Sequence, residues 1–286
     1  MPITRLLCAL LCSMQICLIA EVRIVATENF YGELATQIGG PYVKVLSIMS
    51  NPNQDPHLFS SNADVAKGVA DAQMLVYNGI GYDAWMNNLI SANSKRKRVT
   101  ICVADLVGKK MGDNPHIWYD PATMPAYAKE LAVKLGELDP EHKEYFNQRL
   151  GEFNTSYTEI TDQIERMKKS YAGSPICATE PVFNYMADAL GLKMFGEGFQ
   201  LSVMNDTEPS AKNIADFENR LKTRAVKVLI YNNQVSNPIT ERMQNLARQS
   251  KVAVVGISET QPVGKDYIQW ITGELDQLET ALREER

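Results

Sequence analysis

The chain has 286 residues, of which 45% are hydrophobic, and this length exceeds one ordinary domain while supplying enough apolar residues for two cores. Its formal net charge of −5 at pH 7 lacks the basic excess of nucleic-acid-binding proteins, so we expect no nucleic acid as a partner. Composition therefore predicts a two-lobed globular protein.

Residues 1–20 differ from the rest of the chain. Arg5 gives a positive start, an apolar stretch runs from Leu6 to Ala20, and charged sequence begins at Glu21. This pattern is typical of a cleavable signal peptide, and the stretch is too short for a comfortable membrane span. None of its three cysteines follows the small-residue box of a lipoprotein, so no lipid anchor is expected. We expect cleavage after Ala20 and export to the periplasm.

Short β-branched runs alternate with helical patterns over the next hundred residues. The strand-like runs are Val22 to Ala26, Val43 to Met49, Met74 to Tyr77 and Val99 to Val103, and the helical patterns between them include Asp64 to Ala72 and Asp83 to Ile90. Such βαβ alternation predicts a mostly parallel sheet with helices on both faces. We therefore predict an N-terminal α/β lobe over residues 21–138.

A single long helix is predicted next, over residues 139–173. Apolar residues recur at steps of four and three from Phe146 to Tyr171, a spacing that one continuous helix explains. Asp139 fits the N-cap, Pro140 fits the first helical position, and Gly173 suits a left-handed ending. At 1.5 Å per residue this helix would be about 50 Å long. A coiled coil would show the same stripe, but α/β units on both sides favour a stiff strut within the chain, with modest lobe motion.

A second α/β unit follows, over residues 174–286. Its strand-like runs are Ile176 to Ala178, Val226 to Tyr231 and Val252 to Ile257, and its helical patterns lie near Val182 to Leu190, Ser210 to Leu221, Pro238 to Ser250 and Tyr267 to Arg283. The predicted fold class is α/β, with two Rossmann-like lobes of mostly parallel sheet joined by one long rigid backbone helix. Cys102 and Cys177 fall in different lobes, so two buried free thiols are expected rather than a disulfide.

The chain has only three histidines, and two of them stand in similar surroundings. His57 and His116 each follow a proline, in loops beyond the carboxyl ends of first-lobe strands. Proline holds the preceding backbone extended, so each loop can present its imidazole rigidly. His142, at the start of the long helix, is most simply a solvated surface residue.

Two acids of the second lobe complete the set of candidate ligands. Ligands of open α/β sheets bind beyond the carboxyl ends of the strands, which selects Glu180 after the strand ending at Ala178 and Asp266 in the loop before the last helix. If the two faces oppose each other, two imidazoles and two carboxylates meet around a divalent cation. Each residue also has an ordinary alternative, because loop histidines are usually polar surface and Asp266 can cap its helix.

The two proline–histidine elements resemble the Asp-Pro-His signatures of the ABC-transporter binding proteins specific for zinc, manganese or iron(II), the cluster A-I (cluster 9) family. The resemblance spans nearly the whole mature chain and includes Tyr77-Asn78-Gly79, His116-Ile117-Trp118-Tyr119-Asp120-Pro121, Thr179-Glu180-Pro181 and Glu208-Pro209-Ser210. It implies His57 and His116 as first-lobe ligands, and Glu180 and Asp266 as second-lobe ligands.

The resemblance also implies the biological role. It indicates a periplasmic substrate-binding component that captures one ion of Mn²⁺, Zn²⁺ or Fe²⁺ and delivers it to an ABC permease in the inner membrane, as a monomer without catalytic residues. Glu180 stands where zinc importers commonly have histidine, and Ala104 to Asn114 lacks their histidine-rich insertion. Harder oxygen ligands favour manganese or iron(II), without deciding between the metals. Asp55, Asp120 and Glu28 are candidates for orienting the imidazoles, although such residues more often cap turns.

Two other functions remain open on the sequence alone. A receptor for a metal chelate would have a wide cleft lined by arginine and aromatic side chains, and the available aromatics are Tyr82, Trp85, Trp118 and Trp270. Such residues more often pack in cores. A metal-dependent hydrolase would need an open coordination position and a nearby base, and the chain has no His-Glu-x-x-His element.

Overall fold

A computed structural model of the protein describes residues 21–51, 59, 61–93, 97–235 and 237–283. The predicted signal peptide over residues 1–20, the candidate ligand His57 and its neighbour Asp55 lie outside these residues. No helix in the described part combines the length and the apolar character that a membrane crossing requires.

The first lobe contains a four-stranded sheet in the order β2-β1-β3-β4, and every pairing is parallel. Its strands are β1 (Val22–Glu28), β2 (Val43–Met49), β3 (Met74–Tyr77) and β4 (Val99–Cys102). Its helices are α1 (Asn29–Gly39), α2 (Ala63–Asp71), α3 (Trp85–Ala92), α4 (Val103–Leu106) and α5 (Thr123–Leu138). All of β1 except Arg23 is buried, as expected of a strand covered on both faces.

The second lobe repeats this topology, with a parallel sheet in the order β6-β5-β7-β8. Its strands are β5 (Pro175–Ala178), β6 (Lys193–Phe195), β7 (Val228–Asn232) and β8 (Ala253–Ile257). Its helices are α7 (Asn184–Ala189), α8 (Glu197–Met204), α9 (Ala211–Lys222), α10 (Pro238–Gln249) and α11 (Tyr267–Arg283). In both sheets the strand order reverses beside the first strand, and α/β proteins bind ligands at such switch points.

The long helix α6 (Lys143–Tyr171) joins the two sheets, with 29 residues and a length of about 44 Å. A 3₁₀ turn over Pro140–His142 precedes the α-helix, and Asp139 and Pro140 occupy the N-cap and first positions that the sequence predicted for them. The side chain of Asp139 makes no capping hydrogen bond and instead contacts Nδ1 of His142 at 2.7 Å. His142 also stacks on the ring of Tyr42 at 3.7 Å, so it is not merely a solvated residue. Gly173 takes the predicted left-handed conformation, with φ of 80°.

One hydrophobic cluster extends through both lobes and along α6. At its centre the ring of Phe30 lies 5.1 Å from Trp118 of the first lobe and 5.6 Å from Trp270 of the second. Both tryptophans are completely buried, so they hold the lobes together rather than line an open cleft. Because a wide opening would expose these rings to water, the packing favours small movements.

The two cysteines of the described chain are both free, as predicted. Cys177 is completely buried in β5, whereas Cys102 at the end of β4 is only partly buried. Within the described residues neither thiol cross-links the lobes, so the lobes are joined by the chain through α6 and by non-covalent packing.

Candidate metal site

His116 is completely buried between the lobes, in the loop that leads to α5. Oδ1 of Asn114 accepts the backbone N–H of His116 at 3.1 Å and lies 2.7 Å from its Nδ1. Since an amide oxygen only accepts hydrogen bonds, Nδ1 carries the ring proton and the lone pair of the neutral imidazole is at Nε2. This is the arrangement of a histidine ready to bind a metal through Nε2.

The imidazole faces an acid that the sequence analysis did not select. Nε2 of His116 lies 3.0 Å from Oε1 of Glu259, and both side chains are fully buried. Glu259 stands two residues beyond β8, so the rule that located Glu180 also applies to it. An imidazole nitrogen and a carboxylate oxygen are both metal donors, and at this distance a proton or a cation holds them together.

Asp266 stands directly before α11. Its Oδ1 accepts the backbone N–H of Gln269 at 2.8 Å, and its own N–H donates to Oε1 of Gln269 at 3.2 Å. This reciprocal pair caps α11, which was the alternative role considered for Asp266. The charge of Asp266 acts on Glu33 of the first lobe, where burial first and then Asp266 raise the pKa to about 7. Asp266 makes no hydrogen bond or ion pair with His116 or Glu180, and its role as a ligand stays a prediction.

Glu180 lies at the switch point of the second sheet and is 5% exposed. Nδ2 of Asn232, at the end of β7, donates to Oε2 of Glu180 at 3.3 Å. This amide donor helps to orient the carboxyl group of Glu180, whose oxygens are potential metal donors. Its place at the carboxyl end of β5 agrees with the strand-end rule.

Two more buried acids are Glu28, the last residue of β1, and Asp83, which lies beyond the carboxyl end of β3. Asp83 is held by the backbone N–H groups of Asn78 at 2.6 Å and Gly79 at 2.9 Å, and by the hydroxyl of Thr27 at 2.8 Å. Burial raises the pKa of Glu28 well above its usual value, and the charges of Asp83 and Glu259 raise it further. The region around Glu259 is therefore rich in buried acid, and a dication arriving there would favour the ionised form of these groups.

Of the residues proposed to orient the imidazoles, the structure describes Asp120 and Glu28. Asp120 forms an ion pair with Lys109 at 3.0 Å, and no hydrogen bond joins Glu28 to His116. Asn114 orients the ring instead. Across the whole described chain, no group of three or more His, Cys, Asp and Glu side chains is close enough to hold an ion. His116 and Glu259 are in contact with each other, and Glu180 is not part of this pair.

Several curated relatives align with nearly the whole chain. The manganese ABC transporter substrate-binding lipoprotein PsaA of Streptococcus mitis is 22% identical over 284 residues, which cover 92% of this chain and 89% of the relative. The metal ABC transporter substrate-binding lipoprotein FimA of Streptococcus parasanguinis is 22% identical over 266 residues, covering 86% and 82%.

Solved structures show the same fold. The periplasmic zinc binding protein TroA of Treponema pallidum has a TM-score of 0.78 at 17% identity, covering 92% of this chain and all of that one. Zn(II)-bound AdcA of Streptococcus pneumoniae has a TM-score of 0.73 at 18% identity, covering 93% of this chain and 58% of that one. The predicted α/β fold with two parallel-sheet lobes and a long joining helix is thereby confirmed. Residues 24–281 match the family described as zinc-uptake complex component A, periplasmic, and this chain belongs to that ZnuA family of metal-importer binding proteins.

Proposed function

We propose that this protein is the substrate-binding component of an ABC importer, which captures one divalent transition-metal ion between its lobes and delivers it to the membrane permease. The observation that carries this proposal is the contact of Nε2 of His116 with Glu259 at 3.0 Å. It places a nitrogen donor of one lobe against an oxygen donor of the other, so a bound ion would connect the lobes.

The proposed ligands are His57, His116, Glu180 and one further acid of the second lobe. Glu259 is the stronger choice for that acid because it already contacts His116, whereas Asp266, implied by the family resemblance, caps α11. Completing the shell requires the side chain of Glu180 to turn toward the His116–Glu259 pair, because Glu180 and Glu259 belong to the same lobe and a lobe movement would carry both together. The segment with His57 would supply the remaining donor.

Membership of a family of transporter binding proteins sets aside the hydrolase alternative, and this protein is not an enzyme. A chelate receptor is also disfavoured, since Trp118 and Trp270 are completely buried and Tyr82 is 5% exposed. These rings are not available to line a wide cleft. Direct coordination of a bare ion is the better account of the buried donors.

The cargo is proposed to be Mn²⁺, Zn²⁺ or Fe²⁺, with the oxygen-rich donor set favouring Mn²⁺ or Fe²⁺. The partners are proposed to be the permease and its ATPase. The protein would act as a periplasmic monomer after cleavage following Ala20, and the relatives PsaA and FimA are named as lipoproteins. Residues 21–138 and 174–286 would form its lobes, and residues 139–173 the linking helix.

The test is elemental analysis of protein purified without added metal, followed by competitive titration with Mn(II), Fe(II) and Zn(II). One ion per chain is expected. His116→Ala and Glu259→Gln should each weaken binding by at least about 100-fold, because each removes a direct donor. His142→Ala is the matched control, since this histidine also contacts an acid but lies at the start of the long helix. Unchanged affinity in both site variants would refute the proposal.

A further inference from the structure

Glu274, in α11, is a buried acid that contacts both lobes. Its Oε1 accepts hydrogen bonds from the N–H of Ser258 at 2.9 Å, the hydroxyl of Ser258 at 3.1 Å and the indole N–H of Trp270 at 2.9 Å. Its Oε2 lies 2.6 Å from the hydroxyl oxygen of Tyr119, a residue of the first lobe. A single carboxyl group therefore connects the end of the second sheet with the turn that follows His116.

The hydroxyl of Tyr119 makes two short contacts with only one proton. Its oxygen is 2.6 Å from Oε2 of Glu274 and 2.6 Å from the carbonyl oxygen of Ser258. Because a carbonyl oxygen cannot donate, the tyrosine hydroxyl must donate its proton to the carbonyl oxygen of Ser258. The contact between Tyr119 and Glu274 therefore requires a proton on Glu274. With an ionised Glu274, one of these two oxygen pairs would have no hydrogen between them, at a distance normal only for O–H···O bonds. The contacts are those of a neutral carboxylic acid.

We propose that protonated Glu274 is a positioning residue of the metal site, which keeps His116 and Glu259 facing each other across the lobe boundary. Ser258 directly precedes Glu259, and Tyr119 belongs to the 3₁₀ turn that begins immediately after His116. The contacts of Glu274 with Ser258 and Tyr119, here called the acid bridge, thus fix the backbone beside both Glu259 and His116. This inference rests on the proposed metal-binding function and adds a regulator of the same site.

The surroundings of Glu274 agree with a neutral acid near physiological pH. Burial raises its pKa to about 7, against the opposing effect of the hydrogen bonds that Tyr119, Ser258 and Trp270 can donate to the ionised carboxylate. Burial also raises the pKa of Tyr119 and Tyr267 far above the usual tyrosine value, so neither phenol ionises in this range. The titratable groups that act on Glu274 directly or through these two phenols, from every element packed here, are Tyr119, Tyr267, Tyr157, Tyr31 and Glu259.

The bridge should give metal binding an alkaline limit. When Glu274 loses its proton, Tyr119 turns its hydroxyl to the new carboxylate, and the carbonyl oxygen of Ser258 loses its donor. The resulting repulsion displaces the turn that carries Glu259 away from His116. Metal affinity should then fall above neutral pH, although deprotonation of histidine ligands would by itself make affinity rise with pH.

The experiment measures Mn(II) affinity between pH 6 and 8.5 in the full mature protein. Glu274→Gln supplies an amide that can donate to Tyr119 and accept from Ser258 but cannot ionise. It should bind within about 3-fold of the wild type at pH 6.5 and should lack the alkaline decline, which we expect to be about 10-fold in the wild type. Tyr119→Phe should lose about 10-fold at pH 6.5.

Tyr267→Phe is the matched control, because the Tyr267 hydroxyl donates to the carbonyl oxygen of Trp118 across the same boundary at 2.6 Å. It should retain the alkaline decline. Near-ultraviolet circular dichroism would verify the fold of each variant. If the metal affinity of Glu274→Gln still declined at alkaline pH, or if Tyr119→Phe bound metal with wild-type affinity, this inference would be overturned and the proposed function would stand. A wild type that binds none of Mn(II), Zn(II) and Fe(II) at any pH would overturn the proposed function and this inference with it.

Discussion

Asn29 and Gln261 exchange two hydrogen bonds across the lobe boundary. Nδ2 of Asn29 donates to the carbonyl oxygen of Gln261 at 2.8 Å, and the N–H of Gln261 donates to Oδ1 of Asn29 at 3.1 Å. Asn29 directly follows the buried Glu28, and Gln261 stands two residues after Glu259. The reciprocal pair therefore joins the lobes directly beside the acids of the candidate site.

Asn29→Ala should weaken lobe closure without removing a metal donor. Losing two partly buried hydrogen bonds costs about 1–2 kcal/mol, so the Kd of the metal should rise about 5- to 30-fold. The change should lie mainly in the dissociation rate, measured by stopped-flow chelator competition. Asn93→Ala is the control, because the Asn93 amide donates to the carbonyl oxygen of Leu89 near the end of α3, away from the Asn29–Gln261 pair. A dissociation rate equal in the two variants would contradict a closing role for Asn29.

Asn114 has two separable roles, which Asn114→Asp and Asn114→Ala distinguish. Its Oδ1 orients His116, and its Nδ2 donates to the carbonyl oxygen of Pro181 across the lobes at 2.7 Å. Aspartate keeps an acceptor for Nδ1 of His116 but loses the second bond, whereas alanine loses both. We expect metal affinity to fall about 10- to 100-fold in Asn114→Ala and clearly less in Asn114→Asp. Equal losses by calorimetry would show that ring orientation is not the important role.

Much of the fold follows from local patterns in the chain. The bounds of β2, β3 and α11 agree with their apolar runs because turn residues and helix caps flank those runs. Strand β6 (Lys193–Phe195) was missed, since three residues are too few to show alternation. Helix α1 was also missed because it begins directly after β1 without a side-chain cap.

The site was less predictable than the fold, because its residues come together only through the tertiary packing of the two lobes. Glu180 follows the end of β5, so a general rule for parallel sheets selected it, whereas His116 was selected as one of the three histidines. Glu259 obeys that rule more closely than Asp266 does, since it stands two residues beyond β8 rather than nine. Asp266 instead meets a local requirement, the capping of α11. The sequence partly indicates the role of Asn114, because an asparagine two residues before a histidine can accept the N–H of that histidine in an Asx turn.

The donor at position 180 should influence the choice of metal. Glu180→His replaces a hard oxygen donor by an imidazole, which suits zinc better than manganese. The ratio of zinc to manganese affinity should rise about 10-fold or more in competitive titration. Glu197→His adds a histidine at an exposed position of α8 and serves as the control. A ratio that stays at the wild-type value would indicate that Glu180 does not contact the ion.

The metal-free protein should become more stable as the pH falls from 7.5 to 5.5. Burial raises the pKa of Glu274 and of Glu33 to about 7, and it raises the pKa of Glu28 and Asp83 as well. A raised carboxyl pKa means that the folded protein binds more protons than the unfolded chain. The stability from each group is complete below the unfolded value of 4.5 for glutamate and is lost as the pH rises through the folded value.

For Glu274 alone, this linkage should amount to roughly 2 kcal/mol between pH 7.5 and 5.5, by urea unfolding in the presence of a chelator. Glu274→Gln should lose that part of the pH dependence, whereas Glu141→Gln, at an exposed position, should keep it. Metal affinity, in contrast to stability, should decrease as the pH falls toward 5.5, because protons compete with the ion for histidine ligands. A Glu274→Gln variant with the wild-type pH dependence of unfolding would mean that this acid is ionised in the folded protein, contrary to the hydrogen-bond arrangement around Tyr119.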